Sequence, residues 1–488
     1  MTLSSNDDSL LPHAAALHGK SARSRQLCLF IGDISLGGGT ERACATLAET
    51  MASAGWQVTI LSMYAGSPAY FDLPATVTVR HVWPGRVRMR WRVAQTVWRM
   101  RRFLKQNTFD AWVDAETSLT AYSTIALAGS GIRHVAWENF HLRADLGSCM
   151  RRLGRYCAVH WADQVVLLTQ ADQRDWHAHF GNLAKLVVVP HCIQTQGPAP
   201  LPDSHRDRVI LAIGRLCQQK GFDLLLQSWA IIASSHPGWV MRIVGSGEER
   251  DALKALSTQL GLDHCVQWIP ATPVVFSHYA SASIYALSSR FEGFGLVLIE
   301  AMAQGLPIVA FDCRYGPGEI VQQGRTGQLV PASDLNAFAA ALDRLIRDDA
   351  LRQRMAQASY AACYPYRKGG NQGQWLAVLG GMTPWRCQLP PDQRYWQIWL
   401  PASVSAKTGA EQSAPKLKAS CAQFDWARGL FKGWLVRLCR TLTSCPYLWV
   451  DGALLRSTGR GTRPKIQGES AFPGSFLTSM SNCTSCKA

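Results

Sequence analysis

The sequence has no apolar run approaching the roughly 18–20 residues that a membrane-spanning helix needs, so no such helix is expected. Residues 1–25 are polar with short apolar patches and lack the apolar core of a secretory leader. They read as a flexible leader, and the expected location is the cytoplasm. The only Cys-x-x-Cys, Cys483 to Cys486, has no second pair at zinc-site spacing, which argues against a zinc module. The other cysteines stand mostly singly among apolar neighbours, as Cys28, Cys44, Cys157, Cys217 and Cys265 do. They read as reduced core residues. Nowhere do two aspartates flank one residue, so the simplest acidic pair for a divalent cation is missing. Acidic residues are outnumbered: 34 Asp and Glu face 50 Lys and Arg, a formal net charge of +16. That balance implies an anionic partner. No nucleic-acid-binding motif accompanies it, so nucleic acid is not the expected one.

What is present is an alternation of short apolar runs and amphipathic stretches over 488 residues, a length suited to two domains. Leu27–Ile31 reads as a buried strand, Gly37-Gly38-Gly39 as a turn, Thr40–Ala54 as a helix and Val58–Ser62 as the next strand. Strand patterns recur at Val77–Val82, Ala111–Asp114, His134–Trp137 and Val165–Thr169. These define a first α/β domain, residues 26–193. Residues 194–206, rich in Pro, Gln and charge, read as a linker. A second series fills 207–366, with strands at Val209–Ile213, Trp239–Val244, Val266–Ile269, Ile284–Leu287 and Ile308–Phe311. Helical patterns at Asp223–Ala233, Glu248–Leu260, Leu296–Gln304 and Leu335–Arg347 separate them or follow the last. Such alternation implies parallel sheets covered on both faces. Beyond Tyr366 the period stops. Residues 367–488 read as an irregular tail, either poorly ordered or of other origin, such as a shifted reading frame.

The densest chemical cluster is Ser289-Arg290-Phe291-Glu292-Gly293-Phe294-Gly295-Leu296, which follows a strand and runs into a helix containing Glu300. Glycines there let backbone approach a ligand, and a helix start offers free N–H groups. Carboxylates accept hydrogen bonds only, which suits sugar or ribose hydroxyls. Upstream, Arg215 and Lys220 follow the second domain's first strand, five positions apart, and can both point at a diphosphate. In the first domain Gly37–Arg42 is neither a dinucleotide fingerprint nor a P-loop; Gly38 and Gly39 supply the turn. Arg86, Arg88, Arg90 and Arg92, then Arg99, Arg101 and Arg102, interleave with Trp, Met and Phe at helical spacing. That composition suits an anionic membrane surface, each nearby cation being worth about 1 kcal/mol.

These motifs together resemble a large retaining glycosyltransferase family, family 4, typified by bacterial lipopolysaccharide, capsule and exopolysaccharide sugar transferases. The resemblance rests on Glu292-x7-Glu300 in its Phe-Glu-Gly-Phe-Gly context, on Arg215 and Lys220, and on Gly37–Arg42. It spans about Leu27 to Tyr364. It implies an α/β fold of two Rossmann-like domains facing across a cleft, the GT-B architecture. The implied activity moves a hexose or N-acetylhexosamine from a nucleotide-diphosphate sugar to a lipid-linked or lipopolysaccharide-type acceptor. It implies that Glu300 holds the donor ribose and Glu292 the sugar, with Gly293, Phe294, Gly295 and Leu296 around the donor. Arg215 and Lys220 would bind the diphosphate, and Gly38 and Gly39 would line the opposite wall. No cofactor or metal is then expected, and the missing Asp-x-Asp argues against the metal-dependent single-domain layout. The expected site of action is the inner face of the cytoplasmic membrane, with the protein held peripherally.

One position departs from the pattern. Relatives often carry Glu-His where this chain has Glu138-Asn139, and a histidine follows only at His141. Asn139 can hydrogen-bond a sugar but cannot titrate. A second departure is Lys368-Gly369-Gly370, which interrupts the stretch where the fold's last helix usually braces the first domain. A catalytically impaired sugar-nucleotide-binding protein is therefore the alternative reading.

Overall fold

The computed structural model describes residues 24–66, 68–88, 92–145, 147–193, 206–272 and 274–381, and the backbone of 447–450 and 453–456. The chain divides into two units, Met1–Trp396 and Gln397–Ala488. The first holds both expected α/β domains.

In the N-terminal domain the strands are β1 (Gln26–Ile31), β2 (Gln57–Tyr64), β3 (Thr78–Trp83), β4 (Ala111–Asp114), β5 (Arg133–Trp137), β6 (Gln164–Leu167) and β7 (Leu186–Val188). The helices are α1 (Gly39–Ser53), α2 (Val93–Gln106), α3 (Thr117–Ala126), α4 (Cys149–Trp161) and α5 (Gln170–Phe180). The sheet is parallel throughout, in the order β3-β2-β1-β4-β5-β6-β7. Its central strands are buried on both faces, which is why β1 and β4 read as unbroken apolar runs. The strand order reverses between β1 and β4, and ligands of such sheets bind outside the carboxyl ends at that point.

The second domain repeats the plan. Its strands are β8 (Val209–Ile213), β9 (Val240–Val244), β10 (Val266–Ile269), β11 (Ile284–Leu287), β12 (Ile308–Asp312) and β13 (Gly327–Pro331). Its helices are α6 (Phe222–Ile232), α7 (Arg250–Gln259), α8 (Phe276–Ser281), α9 (Leu296–Ala303), α10 (Pro317–Ile320), α11 (Leu335–Arg347) and α12 (Asp349–Ala362). The parallel order β10-β9-β8-β11-β12-β13 puts this sheet's reversal between β8 and β11. The Arg215/Lys220 motif follows β8 and the Glu292 motif follows β11. Two motifs 72 residues apart thus become neighbours.

The tail boundary needs correction. After Tyr366 the chain forms a further helix, α13 (Gln372–Leu379), within the stretch expected to be irregular. Its Trp375 is fully buried and meets Trp137 of β5 edge-to-face at 5.0 Å. Arg133 Nε donates to the Val378 carbonyl at 2.6 Å, and Asn371 Nδ2 to that of Pro190 at 2.8 Å. The brace onto the N-terminal domain therefore exists despite Gly369-Gly370, which form the turn before it rather than ending the fold. In the second unit, β14 (Tyr447–Val450) and β15 (Ala453–Arg456) pair antiparallel. The remaining tail, most of the leader and linker residues 194–205 lie outside the described residues.

Candidate active site

Loops at the carboxyl ends of the two sheets meet across the cleft. The loops after β8 and β11 are tied to each other. Arg290 N donates to the Gln219 carbonyl at 2.8 Å, Gln219 Nε2 to that of Phe291 at 3.1 Å, and Ser288 Oγ to that of Lys220 at 3.0 Å. This scaffold sets Lys220 Nζ 2.7 Å from Glu292 Oε1, which also accepts from Ser289 Oγ at 2.6 Å. Glu292 is buried, and Lys220 is its ion-pair partner there. Arg215 stands exposed at the end of β8 and makes no ion pair among the described residues. Its guanidinium donates to the Cys217 side chain, the first cause of a raised pKa that keeps it cationic.

Glu300 lies one and a half turns into α9 and is buried. Tyr279 Oη donates to its Oε2 at 2.8 Å, and Arg42 from the other domain pairs with its Oε1. Burial first, and the charge of Glu300 next, push the Tyr279 phenol well above its ordinary range, so it remains a donor. Gly295 starts α9 with φ of 100°, a left-handed conformation that a side chain would strain. A Cβ on Gly293 would lie 2.7 Å from the Asn139 carbonyl oxygen, so glycine there permits the close approach of the two domains. Opposite, Gly38 caps α1 and Gly39 begins it. A Cβ on Gly39 would sit 3.5 Å from Leu296 Cδ1. The amino ends of α1 and α9 therefore lie close together with their positive dipole ends, although Glu41 already accepts from the Gly38 and Glu41 amides of α1. Phe294 differs from expectation. Its ring is buried edge-on against His191 at 5.3 Å, so it is a packing residue and only its backbone faces the cleft.

Known families match this chain in two segments. Residues 37–196 match the model described as Glycosyltransferase Family 4, and 196–362 the model described as Glycosyl transferases group 1. A Haemophilus influenzae protein named an uncharacterized glycosyltransferase is 32% identical over 357 residues, covering 73% of this chain and the whole of that protein. The chain is a family 4 glycosyltransferase. The amylovoran biosynthesis glycosyltransferase AmsD of Erwinia amylovora is 29% identical, over 72% of this chain and 99% of that one. Among solved structures, the lipopolysaccharide outer core galactosyltransferase WaaB superposes with a TM-score of 0.58 at 20% identity, covering 73% and 99% of the two chains. Anabaena Alr3699/HepE in complex with UDP gives 0.61 at 19%, covering 73% and 100%. At such identity these structures speak for the GT-B fold alone.

In this glycosyltransferase the Glu138-Asn139 position divides its roles. Glu138 is a buried structural anion, accepting from Arg155 Nε and Thr117 Oγ1, each at 2.7 Å. Asn139 donates to the Ala115 carbonyl, and its Oδ1 is buried with no partner. His141 is more than nine-tenths buried, with neither ring nitrogen hydrogen-bonded. Its ring stacks on Tyr315 of the other domain at 4.1 Å. Burial drives its pKa down to about 4, so the imidazole is neutral at physiological pH. Asn139 and His141 thus both offer unused polar atoms in the cleft.

Several cleft contacts carry no local sequence signal. Glu319 in α10 accepts from the backbone amides of Gln170 and Ala171, at 2.8 and 2.7 Å, capping α5 across the domain boundary. Asp175 pairs with Arg314 at 2.7 Å and Arg143 at 3.0 Å and accepts from Tyr315. Burial pushes the Asp175 carboxyl up, but these hydrogen bonds outweigh it and hold it down at about 2.

The basic stretch is not uniformly available. Arg86 turns inward to Asp33, at 3.0 Å from Nη2. Arg92 and Arg99 stack on Trp83, at 5.0 and 4.2 Å, and Arg101 donates to the Ile125 carbonyl at 2.9 Å. Arg88, Arg102 and Trp98 are exposed. Arg90 lies outside the described residues. Among the described residues no helix is long and apolar enough to cross a membrane.

Proposed function

We propose that this glycosyltransferase moves a hexose or N-acetylhexosamine, with retention, from a nucleotide-diphosphate sugar to a glycan acceptor carried on lipid or lipopolysaccharide. The observation that carries this reading is the Lys220–Glu292 pair at the β8/β11 reversal, with an exposed Arg215 in the same loop after β8 and the amino end of α1 opposite. That arrangement is a cradle for two phosphates with a carboxylate next to the second. Arg215, Lys220 and the two helix ends would neutralise the departing diphosphate, which removes the need for a metal ion. Glu300 would take the ribose hydroxyls, sharing or releasing Arg42 and Tyr279. Glu292 and the unused atoms of Asn139 and His141 would hold the sugar. In the reaction the anomeric C–O bond to the diphosphate breaks and a C–O bond to the acceptor hydroxyl forms on the same face. The acceptor proton passes to the leaving phosphate oxygen. The protein contributes positioning and charge.

The acceptor would enter from the N-terminal domain, where a pocket of about 370 Å³ opens at the ends of β1, β2 and β4. That volume is ordinary for a small-ligand site, roughly 300–1,000 Å³. Exposed Arg88, Arg102 and Trp98 would hold the protein peripherally on the cytoplasmic face of an anionic membrane. The name of AmsD supports a polysaccharide-biosynthesis role. A donor panel tests the proposal: nucleotide should be released from one sugar nucleotide in preference to the others. Tight nucleotide binding with no release from any donor, with or without acceptor, would instead support the impaired binding protein.

A further inference from the structure

Among the described residues, the pocket in the N-terminal domain is lined by more carboxylates than cations, although the chain as a whole carries +16. Asp33, Glu41 and Glu116 line it, against a single guanidinium, Arg86. That guanidinium is committed to Asp33, with Nη2 at 3.0 Å and Nε at 3.3 Å. Glu116 pairs with Arg151 behind the wall at 3.6 Å and accepts from Ser118 Oγ at 3.2 Å. Glu41 is more than nine-tenths buried and lines the cavity. Among the described residues no cation or hydroxyl pairs with it; it accepts only from the backbone amides of Gly38 and its own residue. Burial, with the charges of Glu116 and Asp33 behind it, raises its pKa to about 7. The pocket sits at the β1/β4 reversal, and Glu41 is the neighbour in sequence of Arg42, which touches Glu300 across the cleft. It therefore opens beside the donor side of the site.

Resting on the reading that this pocket receives the acceptor, we propose that it selects acceptors by charge. It takes a terminal sugar bearing only hydroxyl or amino groups, and it rejects the same sugar bearing phosphate or carboxylate. Asp33 and Glu116 accept hydrogen bonds from hydroxyl or ammonium groups, and Glu41, with its pKa of about 7, does so in its ionised form. An anionic substituent would meet carboxylates in a partly desolvated site, with no free cation among the described lining residues to offset them. Anionic carrier groups of the acceptor would then lie outside the pocket.

The test uses the full chain and the donor that supports nucleotide release, with methyl hexosides as acceptors in neutral, 2-amino, 6-phosphate and uronate forms. The expected result is transfer to the neutral and amino forms at least about tenfold above the anionic ones, the difference that 1.4 kcal/mol produces. Asp33→Asn, which releases Arg86, should narrow that ratio and raise turnover of the 6-phosphate. Glu116→Gln should narrow it less. Nucleotide affinity should be unchanged in both variants, which verifies folding. Equal or better use of the anionic sugars by the wild-type protein would overturn the proposal, as would a ratio unmoved by both changes. If nucleotide binds but no donor turns over, the transferase reading itself fails. The same glycosides, titrated by ligand-observed NMR against nucleotide-loaded protein, would then decide the charge preference on binding alone.

Discussion

At the scale of single residues, the diphosphate cradle makes the sharpest demands. Lys220→Ala removes a charge from the leaving group and also leaves Glu292 buried without its cation. Arg215→Ala removes an exposed charge alone. Both should lower kcat by at least about 100-fold, as loss of a transition-state charge partner does. Lys220→Ala should also lower the melting temperature, because only it strands a buried carboxylate; steady-state kinetics and thermal denaturation check the pair. Glu41 gives a pH prediction. Burial raises its carboxyl from 4.5 to about 7, so the folded state binds its proton more tightly than the unfolded chain does. The stability this confers is fully present below about pH 4.5 and is lost as pH rises through 7. Melting temperature should therefore fall between pH 5 and 8, and Glu41→Gln should flatten that fall; parallel slopes would show that another group is responsible. His141, neutral above about pH 4, should act as a hydrogen-bonding residue. His141→Ala should reduce turnover by roughly tenfold, the loss of one or two neutral hydrogen bonds, without moving the acid limb of the pH–rate profile.

At the scale of elements, α13 and α2 show what periodicity can and cannot reveal. The strands β1, β4, β8 and β11 were legible because parallel strands buried on both faces must be continuously apolar. The Glu292–Glu300 motif was legible because its turn, helix start and carboxylates are contiguous in sequence. Helix α13 was not. It has eight residues, it follows a double-glycine turn, and its purpose is to bury Trp375 against a strand from the other domain. No local pattern encodes a partner so distant in sequence. Trp375→Ala should cost about 3–5 kcal/mol, the usual effect of truncating a buried aromatic, and chemical denaturation would read it. The basic face of α2 was recognised from composition, but composition cannot distinguish Arg99, stacked on Trp83, from Arg102, exposed beside Trp98. If α2 docks on a membrane, replacing Arg88 and Arg102 with Gln should weaken sedimentation with anionic vesicles, and added salt should do the same. Arg86→Gln should matter less, since Asp33 already holds that side chain.

At the scale of the whole molecule, side-chain contacts join the two domains of the first unit to each other. Glu319 caps α5, Asp175 gathers Arg314 and Tyr315, Arg42 reaches Glu300, and Lys368 pairs with Glu49. None of these was visible in the sequence, because each joins residues more than a hundred positions apart through the cleft itself. Glu319, in the short turn of helix at α10, is a clasp between the domains. The fold was readable from repeated local patterns, whereas these contacts depend on long-range complementarity. Under the proposed function these same contacts would bring the α1 end towards the donor and exclude water from the reacting carbon. Transfer with retention is the central proposal, and the anomeric configuration of the product tests it most directly. With an α-linked sugar nucleotide as donor, proton NMR of the glycoside formed by the wild-type protein should show an α linkage, with one nucleotide diphosphate released per bond made. A β-linked product would contradict the account.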